Sequence, residues 1–188
     1  MRVVAPAPPR QEAPDSAELR EATKALYREH YDFVWRNARR LGCSDDWVDD
    51  AVHEVFLVVG RRLSEFEHRA HERTWLFAIT FRVVQRMRRD RARQRGHLDR
   101  YRQERPAATA DAASESEAAQ YLRYLLAQLP EAQRAVLILA ELEGFTSAEI
   151  AATLGVPAGT VDSRLRAAKT ALSRAVERER LRHERLSR

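Results

Sequence analysis

Apolar residues recur at helical spacing along most of this chain, and polar interruptions divide the pattern into segments. Over residues 16–41, Leu19, Ala22, Leu26, Tyr27, Phe33, Val34 and Ala38 mark one face of an amphipathic helix that Gly42 ends. Ser44 is expected to cap the next helix, with Asp45 and Asp46 in its first turn, and that helix runs to about Leu63. A polar link over 64–71 leads to a third helix from about Glu72 to Arg93, with Trp75, Leu76, Ile79 and Val83 as core positions. Residues 95–117 include RPAATADAASESE, low in complexity and poor in large apolar groups, which predicts a flexible linker. Helices resume near Ser116 and continue to about Arg182. Period-two alternation between turn signals is absent, so no strand is expected. The predicted fold is all-α, with two small helical domains joined by a flexible linker. The boundaries are a disordered tail over 1–15, a first domain over 16–95, the linker over 96–116, a second domain over 117–182 and a charged tail over 183–188.

The strongest local signal is residues 129–166, LPEAQRAVLILAELEGFTSAEIAATLGVPAGTVDSRLR. Pro130 opens a helix where its missing N–H costs nothing. Val136, Leu137, Leu139, Ala140 and Leu142 continue the helix, and Gly144 stops it. Thr146 and Glu149 have the spacing of a capping box. Ile150, Ala151 and Leu154 supply a short buried face, Gly155 a turn, and Pro157 a restart. Val161, Leu165, Ala168 and Leu172 then face inward, leaving Ser163, Arg164, Arg166 and Lys169 outward near the start of the last helix. This order predicts a helix-turn-helix whose last helix meets base edges and phosphates. An ordinary packed helix pair with a solvated face is the plainer alternative.

Charge supports a polyanion partner modestly. The 188 residues carry 33 Lys and Arg against 28 Asp and Glu, a net +5. The single cysteine, Cys43, excludes an internal disulfide and a cysteine zinc cluster, and is expected to be semi-buried. No apolar run is long enough to span a bilayer, and the start MRVVAPAPPRQEAPDS lacks a signal peptide's apolar core, so a cytoplasmic protein without direct membrane insertion is expected. His68 and His71 have H-x-x-H spacing without a further ligand cluster, no Gly-rich phosphate loop occurs, and no nucleophile–base constellation is evident. No enzyme, metal or cofactor is expected.

Two further signatures lie in the first half. Trp75, Leu76, Phe77 and Phe81 are followed by Arg82, Arg86, Arg88, Arg89, Arg91, Arg93 and Arg95. Aromatic groups followed by dense positive charge suit a nucleic-acid strand with unstacked bases and neutralised phosphates, although Trp75 at helical spacing fits a core position as well. On the preceding helix Asp50, His53 and Glu54 fall at i, i+3 and i+4 and share a face. Such an acidic face repels DNA, so it meets either water or a basic protein partner.

Taken in order, these segments resemble the extracytoplasmic-function (ECF) sigma factors of bacterial RNA polymerase, of the two-domain type. DDAVHEVFLVVGRRL is similar to the family's clamp-binding helix with E-D-x-V-Q-E-V-F, and ERTWLFAI to F-R-T-W-L-Y-x-I. The segment from Leu129 onward is similar to the domain with L-P-x-x-x-R-x-V and E-I-A-x-x-L-G-x-P-x-G-T-V-K-S-R-L. The resemblance implies that Asp50, His53 and Glu54 dock on the clamp of the polymerase largest subunit. It implies that Trp75, Phe77, Arg82, Arg86 and Arg89 help open and hold the −10 element, and that residues 66–72 form part of a pocket for an extruded base. Ser163, Arg164, Arg166 and Lys169 would read or clamp the −35 element, with the second domain near the polymerase flap. The acidic linker, with Asp111, Glu115 and Glu117, would thread toward the RNA path. Core RNA polymerase, promoter DNA and an anti-sigma factor are the implied partners, and in the free state the two halves either pack together or are clamped by the anti-sigma protein. Departures from the family pattern are His53 for Gln, Glu72 for Phe, Phe81, Arg82 and Arg86 for Arg, Asn and Asp, Asp162 for a basic residue and Ala167 for Arg or His. Two other classes stay open: a stand-alone helix-turn-helix regulator, which needs neither the acidic nor the aromatic–arginine helix, and a sigma-like decoy that sequesters an anti-sigma partner.

Overall fold

A computed structural model of the chain describes residues 16–66, 71–98 and 116–186. The expected tail over 1–15, residues 67–70 with His68, most of the linker with Asp111 and Glu115, and the last two residues lie outside the described residues. Within them the chain forms seven α-helices and no strand.

The first three helices make one packed unit. Helix α1 spans Ser16–Leu41 and buries Phe33, Val34, Ala38 and Leu41. Ala22 and Tyr27 were expected in this face but are exposed, because the first turns of α1 contribute little to the buried core. Tyr27 lays its ring edge-on against Phe56, centroids 4.8 Å apart, and leaves the rest in water. Helix α2 spans Val48–Arg62, starting later than Ser44 predicts. The Ser44 hydroxyl donates to Asp46, while its carbonyl accepts from Trp47 N and Val48 N at 3.2 and 3.1 Å, so a turn precedes the helix. Asp49 and Asp50, rather than Asp45 and Asp46, occupy the first turn and meet the positive end of the helix dipole. Trp47 enters the core beside Val48, Ala51, Val52, Val55 and Val59. A short 3₁₀ turn, Leu63–Glu65, follows. Helix α3 spans Glu72–Leu98, past the expected end at Arg93 and into the segment read as the start of the linker. It presses Leu76, Phe77, Ile79, Val83 and Val84 onto α1 and α2. Each large apolar side chain so buried contributes about 1.5–3 kcal/mol.

The second half begins with α4, Glu117–Ala127, whose N-cap Ser116 hydroxyl accepts from Ala119 N at 3.3 Å. Helix α5, Glu131–Leu137, follows Pro130 and passes into a π-helical turn, Ile138–Leu142. Glu143 N donates to Ile138 O across five residues at 3.0 Å, the wide ring of a π-bulge. Gly144 closes it at φ +75°. The capping box forms as predicted: Glu149 N donates to the Thr146 hydroxyl, and Thr146 N to the Glu149 carboxylate at 2.8 Å. These bonds hold the Glu149 pKa below the usual carboxylate range. Helix α6, Ser147–Leu154, ends at Gly155 in the left-handed region, φ +65°. Helix α7, Ala158–Leu186, buries Val161, Ala168 and Ala175 and runs four residues beyond the expected Arg182.

The halves touch directly, and their buried side chains form one continuous cluster. Arg134 of α5 ties them by its backbone partners. Its guanidinium is 4 % exposed and donates to Leu41 O at the end of α1 at 2.9 Å, to Ala127 O at the end of α4 at 3.0 Å and to Leu129 O in the loop beyond it at 3.1 Å. Gly42, at φ +109°, makes room: a Cβ there would lie 2.8 Å from the guanidinium.

Cys43 is buried outright, more deeply than expected, and desolvation pushes its thiol pKa up to about 12. Two outcomes follow. Thr146→Ala removes a hydroxyl cap and lowers stability by about 1 kcal/mol in a urea melt. Cys43 stays protonated in the fold where the unfolded thiol ionises, so its contribution to stability is complete below pH 9.0 and falls as pH rises toward about 12; iodoacetamide should label the native chain far more slowly than the urea-unfolded chain.

Candidate nucleic-acid and protein-docking faces

Three surfaces carry the residues singled out in the sequence. The first is the outer face of α2. Asp50 and His53 are exposed, and Glu54 is half-buried because it reaches across to Arg86 of α3 at 2.6 Å. Asp50 lies 3.7 Å from Arg91, which also meets Asp46 at 3.2 Å and covers the Trp47 ring at 5.0 Å. Leu57, 42 % exposed, extends this face one turn beyond His53 and was missed. The i, i+4 spacing from His53 would have found it, but an apolar residue in VFLVV reads as core. An acidic rim around an exposed leucine suits a basic protein surface with apolar ground between its charges.

The second surface is α3. Phe77 does not belong to a nucleic-acid face: it is fully buried, its ring parallel to that of Phe81 at 6.5 Å. Leu76 and Phe77 are adjacent in sequence yet both inward, because α3 packs against α1 on one flank and α2 on the other. Trp75 is half-buried, tilted against Phe66 with centroids 4.7 Å apart. It lines a cavity of about 500 Å³ together with Arg62, His71 and Arg82, and α6 closes the far side with Ala148, Ala152 and Thr153. Of the arginines, Arg86, Arg88, Arg91 and Arg93 meet Glu54, Glu131, Asp46 and Asp90. Arg82 and Arg89 are exposed and make no ion pair among the described residues. Dense positive charge in the sequence thus yields only part of its cations to an external anion.

The third surface is the start of α7. Ser163 and Arg166 are exposed and border a groove of about 440 Å³ with Gln133, Thr170 and Arg174. The Ser163 hydroxyl donates to Thr160 O at 3.0 Å, Arg164 is half-buried, and Lys169 meets Glu141 at 2.8 Å. Asp162 accepts from the Ser147 hydroxyl at 2.9 Å, bracing the start of α6 against α7. An acid at that position therefore links α6 to α7.

One group that the sequence did not signal lies between these surfaces. The Glu143 side chain is 2 % exposed, and its carboxylate accepts from Arg40 at 2.7 Å, from Arg73, and from Asn37 Nδ2 at 3.2 Å. An acidic residue just before a helix-ending glycine reads as solvated, so no local pattern marks it. Glu29, His30 and Glu72 also bring three ligand-type atoms within 4.8 Å of one another. His30 Nε2 lies 3.3 Å from Glu72 and 3.8 Å from Glu29, the ordinary satisfaction of a buried histidine by carboxylates. Among the described residues no helix is long and apolar enough to cross a membrane.

Comparison with known proteins places these surfaces in a family. Residues 26–94 match the family model for sigma-70 region 2, and residues 119–172 that for sigma-70, region 4. The ECF RNA polymerase sigma factor SigM of Mycobacterium tuberculosis is 31% identical over 156 residues, covering 82% of this chain and 77% of that protein. SigL of the same species is 33% identical over 155 residues, covering 79% of this chain and 85% of that protein. Among solved structures, CnrH in complex with the cytosolic domain of CnrY aligns with a TM-score of 0.63 at 25% identity, over 86% of this chain and 94% of that one. The sigma factor RpoE of Bartonella quintana, in complex with the anti-sigma factor NepR, shares the fold, with a TM-score of 0.67 at 22% identity over 84% of this chain and 98% of that one.

Burial separates the roles on α3 by experiment. Phe77→Ala removes a packed ring and costs about 3–5 kcal/mol in a chemical melt. Arg82→Ala, at an exposed position, leaves the melt within about 0.5 kcal/mol of the parent.

Proposed function

The chain belongs to the ECF sigma factors of RNA polymerase, which direct initiation to specific promoters, and from that premise we propose how its surfaces divide the work. Residues 16–95 form the unit that binds core polymerase and the −10 element, residues 117–182 the unit that binds the −35 element, and residues 96–116 the linker between them. The observation that carries this division is the order, on one chain, of an acidic exposed face on α2, an aromatic and cationic α3, and a capped helix-turn-helix.

Asp50, His53, Glu54 and Leu57 dock on a basic surface of the polymerase clamp. Glu54 then exchanges Arg86 for a cation of the partner, and Arg86 is released toward DNA. Arg82 and Arg89 neutralise phosphates of the opened strand, and Trp75 offers a ring edge for an unstacked base. Phe77 holds the helix from below. On α7, Ser163, Arg164 and Arg166 face the −35 duplex, and Lys169 leaves Glu141 for a phosphate. With few cations free, duplex affinity is modest and falls with salt, which suits a subunit that binds promoters only as part of a larger enzyme. The polymerase performs all bond-making, so this chain acts without catalysis of its own. An anti-sigma factor, such as those in the complexes of CnrH and RpoE, fits as a regulator. Action on the transcription machinery places the protein in the cytoplasm.

The test is transcription by core polymerase with and without the chain on a fragment library of its own genome. The wild-type chain should direct initiation at a discrete set of promoters. Asp50→Lys with Glu54→Lys should abolish that set at unchanged helical content. Tight, sequence-specific duplex binding by the chain alone, indifferent to core and to these two changes, would instead favour a stand-alone regulator.

A further inference from the structure

A cavity of about 310 Å³ shares no lining residue with the three surfaces described above. It lies where the end of α1 and the turn after it meet α4 and α5. Four arginines line it, Arg39, Arg40, Arg123 and Arg134, against one carboxylate, Asp45. Asp45 meets Arg39 at 2.5 Å, and Glu143, which is not part of the wall, meets Arg40 at 2.7 Å. Two acids for four cations leave positive charge in excess. Arg134 is the extreme case. Its three bonds go to neutral carbonyls, and its Nε has no hydrogen-bond partner among the described residues. A guanidinium buried to that degree has lost its hydration without gaining a counter-charge. Desolvation holds the pKa values of Arg123 and Arg134 below the ordinary arginine value, and a neighbouring arginine lowers each further, Arg39 for the first and Arg88 for the second. An arginine stays charged even so, and the cavity therefore keeps its excess of cations.

We propose that this cavity binds a small anion carrying a diphosphate group, held among the guanidinium groups of Arg39, Arg123 and Arg134. Burial sets the size of the ligand. Arg39 is 5 % exposed and Arg134 4 % exposed, so a group small enough to enter can meet them, while the backbone of a duplex stays at the rim. Residue type sets its chemistry. Guanidinium forks match the oxygens of phosphate and carboxylate alike, but one carboxylate satisfies one fork. A diphosphate spreads more oxygens and more charge over several forks at once. Gln120 of α4 stands in the same wall and offers an amide to a ligand oxygen. Free pyrophosphate and the diphosphate end of a nucleotide share this chemistry. The site does not depend on the sigma-factor reading. It adds to that reading a place where a phosphate compound binds the chain away from the DNA-facing residues.

The test is calorimetric titration of the full chain, in magnesium-free buffer at fixed ionic strength, with inorganic pyrophosphate and then with ADP. The parent should bind with saturation at one site per chain, and binding should raise its melting temperature. Equal affinity for the two probes marks free diphosphate as the ligand, and tighter binding of ADP marks a nucleotide. Arg123→Gln removes one half-buried fork and should weaken binding at least about tenfold. Gln120→Glu keeps every arginine and places a second acid in the wall; it should weaken binding by a similar factor. Circular dichroism should show helical content intact in both variants. Arg61→Gln removes an exposed arginine of α2, far from the cavity wall, and should leave the affinity unchanged. The site is overturned if neither probe saturates, if both cavity variants fold and bind as the parent does, or if Arg61→Gln weakens binding as much as they do. Loss of promoter-specific transcription bears on the sigma-factor reading alone, and the titrations decide the site either way.

Discussion

One guanidinium sets the geometry on which the surfaces depend. Arg134 rises from α5 into the junction of α1, α4 and α5 and satisfies carbonyls at the ends of two helices. Helix C-termini leave carbonyls without partners, and two of them here, with the Leu129 carbonyl of the following loop, converge on a single fork-shaped donor. Burial and the nearby Arg88 charge hold its pKa below the ordinary arginine value, yet an arginine stays charged in any such setting. The arrangement needs Gly42, whose backbone conformation and missing side chain let the fork approach. With α1 and α4 pinned, α5 and its π-turn enter the junction at a fixed depth, and Glu143 arrives between Arg40 and Arg73.

The same economy of charge shapes the outer faces. Among the described residues Arg86, Arg88, Arg91 and Arg93 of α3 each find an acid within the chain first, while Arg82 and Arg89 do not. Exposed pairs of this kind are worth at most about 1 kcal/mol, so they orient side chains without locking them away from a polyanion. The Glu54–Arg86 pair is special in joining a proposed protein-docking residue to a proposed DNA-binding one. Loss of one partner frees the other, which couples the two surfaces through a single contact.

Much of the fold was legible from helical periodicity and caps. Ser16–Leu41, the Thr146 capping box and the Gly155 turn all rest on local physics, and the structure forms each of them. What escaped was decided by distant neighbours. Tyr27 follows the apolar period yet meets water, because the early turns of α1 add little to the core. Phe77 resembles a DNA-facing aromatic, but α3 is flanked on both sides, so two consecutive residues turn inward. Leu57 shows the converse, an apolar residue left outside a buried run. The acidic face of α2 and the exposed start of α7 were visible as charge and spacing. Glu143 was not, because its partners lie over one hundred residues earlier for Arg40 and about seventy for Arg73.

The π-turn after α5 holds a consequence of its own. An α-helix through Ile138–Leu142 would advance each residue by 100° about the axis, whereas the wide turn takes in one residue more before the chain completes its circuit. Ile138 and Leu139 stay in the core ahead of this extra residue, and everything after it is rotated in phase. The bulge thus acts as a phase shifter between a hydrophobic register and an electrostatic one. A chain shorter by one residue within the turn could keep the same apolar anchors, yet would swing its acid out to solvent.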